Sequence, residues 1–299
     1  MKTNEKILDF YAQPSDLTAA GKFSPWLDAL PSEVSKLVGI TQGLGIYDTV
    51  ATDFYGCTIP DARQQEIHLR SFEQTLEQLL ALDDQPLTVA RAADKRLACR
   101  CHNFTRLLVA ILRAQGIPAR SRCGFGTYFN PPYFEDHWVG EYWNAAEARW
   151  VLVDPQFDEV WRTKLKIDHD ILDVPRNRFL VAGDAWVRCR AGQADAEKFG
   201  IVFANLRGLW FVAGNLVRDV AALNKMEMLP WDVWGAPPRT SRLTTINWLS
   251  STSLRHSHAI QTPRLLQCVV STRLMAACVY RRSSSMPCVI PLNQFPPNP

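Results

Sequence analysis

Several features are missing from this 299-residue sequence, and each absence excludes a class of protein. No uncharged apolar run reaches the roughly 18 residues of a membrane span; the nearest stretch, 201–217, is interrupted by Asn205, Arg207 and Asn215. Residues 1–17 contain no apolar segment of the length that a secretory signal needs. We therefore expect no membrane association and a cytoplasmic location, where cysteines are usually free thiols.

Acidic residues are absent from 241–299, which contains six Arg and no Lys. The remaining 240 residues hold 27 basic and 30 acidic side chains, so the net charge of +3 comes from the tail. The tail shows no sustained helical or strand period. We predict a folded domain over 1–240 and a divergent, mostly disordered basic tail over 241–299. A nucleic-acid-binding arm is the alternative, but six scattered Arg residues are sparse for that role, and we expect no nucleic-acid partner.

Composition also limits the class of fold. Hydrophobic residues make up 47% of the chain and charged residues 21%, as in an ordinary soluble globular protein. These proportions exclude a wholly disordered chain and a fibrous repeat. No second Cys/His pair stands at zinc-like spacing beside Cys99, Cys101 and His102, so we predict no metal site.

Two segments have the period of a helix. Leu69, Phe72, Leu76 and Leu79 recur at three- and four-residue spacing and predict an amphipathic helix over 68–82. Residues 101–115 are apolar over most of a helical circumference, which predicts a central, buried helix that stops at Gly116. We also expect short helices and loops over 1–60 and helical structure over 170–230.

Three segments after the central helix are rich in aromatic and β-branched residues and predict strands, at 117–129, 137–143 and 149–154. A turn at 144–147 would join the last two as a hairpin. The order of helices, central helix, strands and helices indicates an α+β fold, with the central helix against an antiparallel sheet and further helices at the flanks.

A hairpin centred between Ala145 and Ala146 would place His137 directly opposite Asp154. Directly opposed residues have Cβ atoms roughly 4.5–5.5 Å apart, so the carboxylate could reach the imidazole. The same register places Val139 opposite Leu152 and Glu141 opposite Trp150. A His oriented by an Asp is a general base.

Cys101 begins the predicted buried helix, where the positive end of the helix dipole favours a thiolate. Cys101, His137 and Asp154 thus form a candidate thiol triad in that chain order. Trp138 and Trp143 are candidates for lining a substrate groove, on weaker grounds.

These motifs resemble the bacterial transglutaminase-like superfamily. The resemblance rests on Cys101 at the start of the helix, Gly-Ile-Pro-Ala-Arg at 116–120, His-Trp at 137–138 and Trp-Val-Leu-Val-Asp-Pro at 150–155, and its core covers about 90–160. It implies a papain-like fold over 1–240 and acyl transfer or amide hydrolysis through a thioester. Members often have a small residue where Cys99 stands; the helix start and the spacing to Gly116 favour Cys101 as the nucleophile.

In this interpretation Cys101 attacks a peptide or glutamine amide, His137 protonates the leaving amine and Asp154 orients His137. No metal or organic cofactor is required, and the expected partner is a peptide or protein amide. Two alternatives stay open: an arylamine N-acetyltransferase, which uses the same three residue types in the same order, and a non-catalytic peptide-binding module on the same fold.

Overall fold

A computed structural model describes residues 2–232 of the chain. The predicted tail, 241–299, and the predicted domain boundary at about 240 lie outside the described residues. Within the described part, eight α-helices and eight β-strands follow one another, with short 3-10 turns between them.

The N-terminal region is helical, as expected, and contains one short strand. Its helices are α1 (Lys2–Ala12), α2 (Val34–Leu44), α3 (Ala51–Tyr55) and α4 (Phe72–Leu82), and strand β1 (Gly45–Tyr47) follows α2. Helix α4 begins four residues later than predicted because Ser71 caps it: the Ser71 hydroxyl accepts the N–H of Gln74, and the Gln74 side chain accepts the N–H of Ser71.

Strand β2 (Leu97–Cys99) pairs in parallel with β1 and leads directly into helix α5 (Cys101–Ala114). Every residue of α5 from 102 to 113 is buried, which confirms the prediction of a central buried helix. One side of α5 packs against the apolar faces of α2 and α4. The other side meets the main sheet, where the Leu108 side chain lies against the backbone of Gly140.

The main sheet has six strands, and β4 pairs with three of them. Its members are β3 (Ala119–Gly126), β4 (Phe134–Asn144), β5 (Arg149–Val153), β6 (Phe179–Val181), β7 (Phe199–Ile201) and β8 (Leu206–Arg207). The order is β6-β3-β4-β7-β8, and β5 also pairs with β4. All pairs are antiparallel except β4 with β7. The fold is α+β, as predicted.

The helices α6 (Glu159–Leu165), α7 (Ala182–Arg190) and α8 (Leu209–Leu223) complete the described chain. The expectation of purely helical structure over 170–230 was therefore incomplete, because β6, β7 and β8 lie in that interval. These strands have only two or three residues each, too few for a period to be detected. No helix within 2–232 has both the length and the apolar character needed to cross a membrane.

Gly124 lies inside strand β3, where β6 approaches closely. A Cβ atom at Gly124 would lie 2.2 Å from the carbonyl oxygen of Leu180. A glycine is therefore required here, because β6 approaches β3 too closely for a side chain. Gly124 also pairs with His137 on β4, so this close contact lies directly beside His137.

Candidate active site

The structure brings Cys101, His137 and Asp154 together at the N-terminus of α5. His137 Nε2 donates a hydrogen bond to Asp154 Oδ2 over 2.7 Å. Cys101 lies near the same imidazole and contributes to the upward shift of its pKa. His137 and Asp154 are 1% and 0% exposed, whereas Cys101 is half-buried. The thiol is therefore the most accessible member of the three.

Cys101 is held in place by interactions of the residue before it. The Arg100 carbonyl accepts the N–H of Asn103 at 2.9 Å, and the Asn103 side chain accepts the N–H of Arg100 at 2.9 Å. The Arg100 guanidinium donates to the buried carboxylate of Asp48 at 2.9 Å and lies 5.6 Å from the ring centre of Tyr47. These contacts fix the first turn of α5 and place a cation beside the thiol.

The charge state of His137 follows from its neighbours. Burial alone would lower the pKa of this imidazole, but the charge of Asp154, their hydrogen bond and the nearby Cys101 together raise it to about 10. The protonated imidazole is therefore the stable form at neutral pH. In this state the imidazole holds a proton that it can give to a leaving group beside Cys101.

Asp154 is held by more than His137. Tyr128 Oη donates to Asp154 Oδ2 at 3.0 Å, and the N–H of Gln156 donates to Oδ1 at 3.1 Å. The carboxylate thus accepts from an imidazole, a phenol and the backbone, which fixes its orientation. Burial, followed by the charge of Asp154, raises the pKa of Tyr128 well above its usual value, so the phenol remains a donor. Sequence analysis missed Tyr128, because no motif connects it with Asp154.

Aromatic rings enclose the imidazole of His137. Phe157 stacks on it with ring centres 5.7 Å apart, and Phe129 and Phe179 approach it edge-on at 4.8 and 6.2 Å. These rings exclude water from the His137–Asp154 pair. Because electrostatic interactions are stronger in an apolar surrounding, the enclosure strengthens the pair.

The register predicted for the β4–β5 hairpin was wrong, although the prediction of which side chains share a face of the sheet was right. Glu141 pairs with Leu152 and Trp143 with Trp150, two positions away from the predicted partners. The loop between the strands is 145–148, one residue later than expected, with Ala148 in a left-handed conformation. An error of two residues keeps every side chain on its face, because successive side chains alternate. His137 and Asp154 are therefore on the same face without being ladder partners.

The two tryptophans proposed for a substrate groove lie away from the imidazole of His137. Trp138 is 1% exposed and packs edge-on against His102, with ring centres 4.8 Å apart, on the opposite face of β4. Trp143 lies six residues along β4 from His137, which corresponds to about 20 Å at roughly 3.3 Å per residue. Trp138 belongs to a small apolar cluster against which Cys101 also packs, whereas Trp143 is distant along the strand. Their part in substrate binding stays a prediction.

Cys99 is fully buried in β2, and burial raises the pKa of its thiol above the usual range. A buried neutral thiol is a poor nucleophile. This placement supports Cys101 as the attacking residue and Cys99 as part of the core. Among residues 2–232, no three His, Cys, Asp or Glu side chains form a cluster that could hold a metal ion.

Residues 70–155 match the family model of the transglutaminase-like superfamily. This segment is transglutaminase-like. It contains α4, α5 and β3 to β5, and therefore all three members of the candidate triad. The match supports a cysteine-based enzyme at the level of the superfamily, and the resemblance inferred from the motifs is confirmed.

The chain is also similar to a solved structure of a candidate cysteine protease from Cytophaga hutchinsonii, with 21% sequence identity and a TM-score of 0.30. The similarity covers 57% of this chain and 44% of that protein, so less than half of its length is matched. No curated protein matches the chain.

Proposed function

We propose that this protein is a thiol hydrolase or acyltransferase that acts on peptide or glutamine amides through a thioester. The observation that carries the proposal is the buried His137–Asp154 pair, 2.7 Å apart, beside a half-buried cysteine at the start of α5. Cysteine, histidine and aspartate in this arrangement supply a nucleophile, a proton carrier and a group that orients the carrier.

In the first step, the Cys101 thiolate attacks the amide carbonyl carbon and forms a C–S bond. The carbonyl oxygen becomes an oxyanion, for which the N–H of Cys101 is a donor, because the first residue of a helix has no acceptor for its N–H within the helix. The C–N bond then breaks as His137 gives its proton to the leaving amine.

In the second step, water or an acceptor amine attacks the thioester. His137 takes a proton from this nucleophile while Asp154 stabilises the imidazolium, and the C–S bond breaks to release the product and restore the thiolate. Water gives hydrolysis or deamidation, and an amine gives transfer. The enclosed imidazole is suited to both, since Asp154, which itself accepts from Tyr128, holds it in one orientation. A cytoplasmic location and a peptide or protein amide partner are part of this proposal.

The test is the alkylation rate of each cysteine with iodoacetamide between pH 5 and 9, measured by peptide mass spectrometry. We expect Cys101 to react fastest at neutral pH and to lose this advantage in His137→Ala, with Cys57 as the internal control because it is another half-buried thiol. Ammonia release from a blocked glutamine peptide, with and without hydroxylamine, then separates hydrolysis from transfer. A Cys101 that reacts no faster than Cys57 would contradict the proposal and favour a binding module. Thiol acetylation by acetyl-CoA would instead favour the N-acetyltransferase alternative.

A further inference from the structure

Helix α8 lies outside the matched segment, yet its polar side chains reach the strand residues around His137. Strand β6 pairs with β3 only from Gly124 onward. Next to that point, the Asp219 carboxylate accepts the N–H of Cys123 at 3.0 Å and also binds the Arg122 guanidinium at 2.9 Å. Side chains of α8 thus replace a neighbouring strand along the edge of β3.

Asn215, one turn earlier on α8, contacts both sides of the His137 position. Its Nδ2 donates to Asp136 Oδ1 at 2.6 Å and to the Gly124 carbonyl at 3.3 Å. Asp136 precedes His137 in the chain, and Gly124 is the ladder partner of His137. The Asn215 amide therefore connects Asp136, which precedes His137 in the chain, with Gly124, which pairs with His137 across the sheet.

The orientation of the Asn215 amide is determined by its partners. Arg218 Nη1 donates to Asn215 Oδ1 at 2.9 Å, and a guanidinium can only donate. The Gly124 carbonyl can only accept, so Nδ2 must face Gly124 and Asp136. Asn215 is 0% exposed and uses both ends of its amide, which makes it a fully satisfied buried polar group.

We propose that Asn215 is a positioning residue for His137: by tying Asp136 to Gly124, it holds the imidazole at the distance and angle that Asp154 and Cys101 require. This inference rests on the proposed function, because it assigns Asn215 a part in the same site. A displacement of a catalytic group by about 1 Å costs up to 100-fold in rate. Loss of the hydrogen bonds of Asn215 should therefore have a large effect on the reactivity of Cys101.

The experiment compares the wild-type protein with Asn215→Ala, Asn215→Asp and Leu216→Ala. Asn215→Asp keeps the side-chain volume but loses the donor to Gly124 and Asp136, and it covers the case in which Asn215→Ala fails to fold. Leu216, 5% exposed, is the apolar neighbour on α8, so Leu216→Ala reports what loosening the helix does by itself. The measurements are Cys101 alkylation by iodoacetamide at pH 7, the urea midpoint, and the titration of the His137 imidazole by NMR.

We expect both Asn215 variants to alkylate Cys101 on the order of tenfold more slowly than the wild type. The pKa of His137 should fall in Asn215→Ala, because its hydrogen bond to Asp154 loosens; in Asn215→Asp the added carboxylate acts in the opposite direction, so there the alkylation rate is the readout. Leu216→Ala should lower the urea midpoint while leaving the alkylation rate and the His137 titration as in the wild type. The inference is overturned if the Asn215 variants match the wild type, or if all three variants lose reactivity in proportion to their loss of stability.

Failure of the proposed function has a different signature. In that case wild-type Cys101 itself reacts no faster than in His137→Ala, before any change at Asn215 is considered. A fast wild-type thiol that is indifferent to Asn215 contradicts the positioning role alone.

Discussion

The side chains of His137 and Asp154 meet at 2.7 Å although the two residues are not ladder partners. Strand β5 ends at Val153, opposite Gly140, and the N–H of Asp154 turns away from the sheet to the carbonyl of Ile171 at 2.8 Å. The carboxylate therefore approaches the imidazole diagonally from the end of the strand. This approach leaves its second oxygen free to accept the N–H of Gln156.

Replacing Asp154 by Asn tests this relationship with almost no change in shape. An amide cannot supply the charge that raises the pKa of His137, so burial should then dominate and that pKa should fall below its usual value of 6.5. Because the imidazolium is lost at neutral pH, we expect turnover to decrease by about 10³- to 10⁴-fold. Ammonia release from the blocked glutamine peptide measures the loss, and an NMR titration of His137 measures the pKa. Unchanged turnover would remove Asp154 from the mechanism.

The same pKa predicts how stability depends on pH. The pKa of His137 is about 10 in the folded protein and 6.5 when unperturbed, so the folded state binds the proton more tightly. The resulting stabilisation is fully present below about pH 6.5 and is lost as the pH rises towards 10. We expect the urea midpoint of the wild type to fall over this interval more steeply than that of His137→Gln. Parallel pH dependences would show that His137 is not the group responsible.

Tyr128→Phe removes one donor from Asp154 and leaves the aromatic ring in place. The hydroxyl makes a neutral-to-charged hydrogen bond, so we expect a loss of about 1.5–3 kcal/mol of unfolding free energy. Turnover should decrease severalfold, since Asp154 keeps its bonds to His137 and Gln156. Tyr133→Phe, on a half-exposed ring near Arg207, is the control and should leave both quantities unchanged. Equal effects of the two substitutions would rule out the specific role of Tyr128.

Local patterns were sufficient to predict the approximate elements that carry Cys101, His137 and Asp154. The start of α5 at Cys101 follows from apolar periodicity and a glycine stop, and the shared face of His137 and Asp154 follows from strand alternation. Both are properties of short segments. The exact register was not predictable, because the hairpin loop 145–148 contains no Gly, Pro or Asn that would fix its turn type.

Residues that act through long-range contacts could not be predicted in this way. Tyr128 reaches Asp154 across 26 positions of sequence, and Asn215 reaches Asp136 across 79. The His169 side chain is 5% exposed, and its ring lies 4.9 Å from that of Tyr128. Each of these placements depends on how distant elements pack, which periodicity and spacing do not encode.

Glu141 is the centre of a buried ion cluster on the same face as His137. Its carboxylate accepts from Arg120 Nε at 2.6 Å and from Arg122 Nη1 at 2.8 Å, and all three residues are at most 8% exposed. Glu141→Ala should cost about 3–5 kcal/mol of unfolding free energy, because Arg120 loses its buried carboxylate partner and Arg122 keeps only Asp219. Urea unfolding provides the measurement. Glu147→Ala breaks an exposed pair with Arg149 and should leave the urea midpoint unchanged; similar losses at the two sites would contradict the difference in burial.

Two glycines should respond to alanine with opposite signs. Gly124→Ala places a Cβ 2.2 Å from the Leu180 carbonyl oxygen, so β6 must move away from β3. We expect a loss of about 1–3 kcal/mol, as for an overpacked core, together with slower alkylation of Cys101, because Gly124 is the ladder partner of His137. Gly39, inside α2, has no atom within 4 Å of its added Cβ, and Gly39→Ala should stabilise the protein by up to about 1 kcal/mol through helix propensity. Urea unfolding and the Cys101 alkylation rate distinguish the two variants. Loss of stability without loss of thiol reactivity in Gly124→Ala would show that the β3–β6 contact supports the fold but not the site.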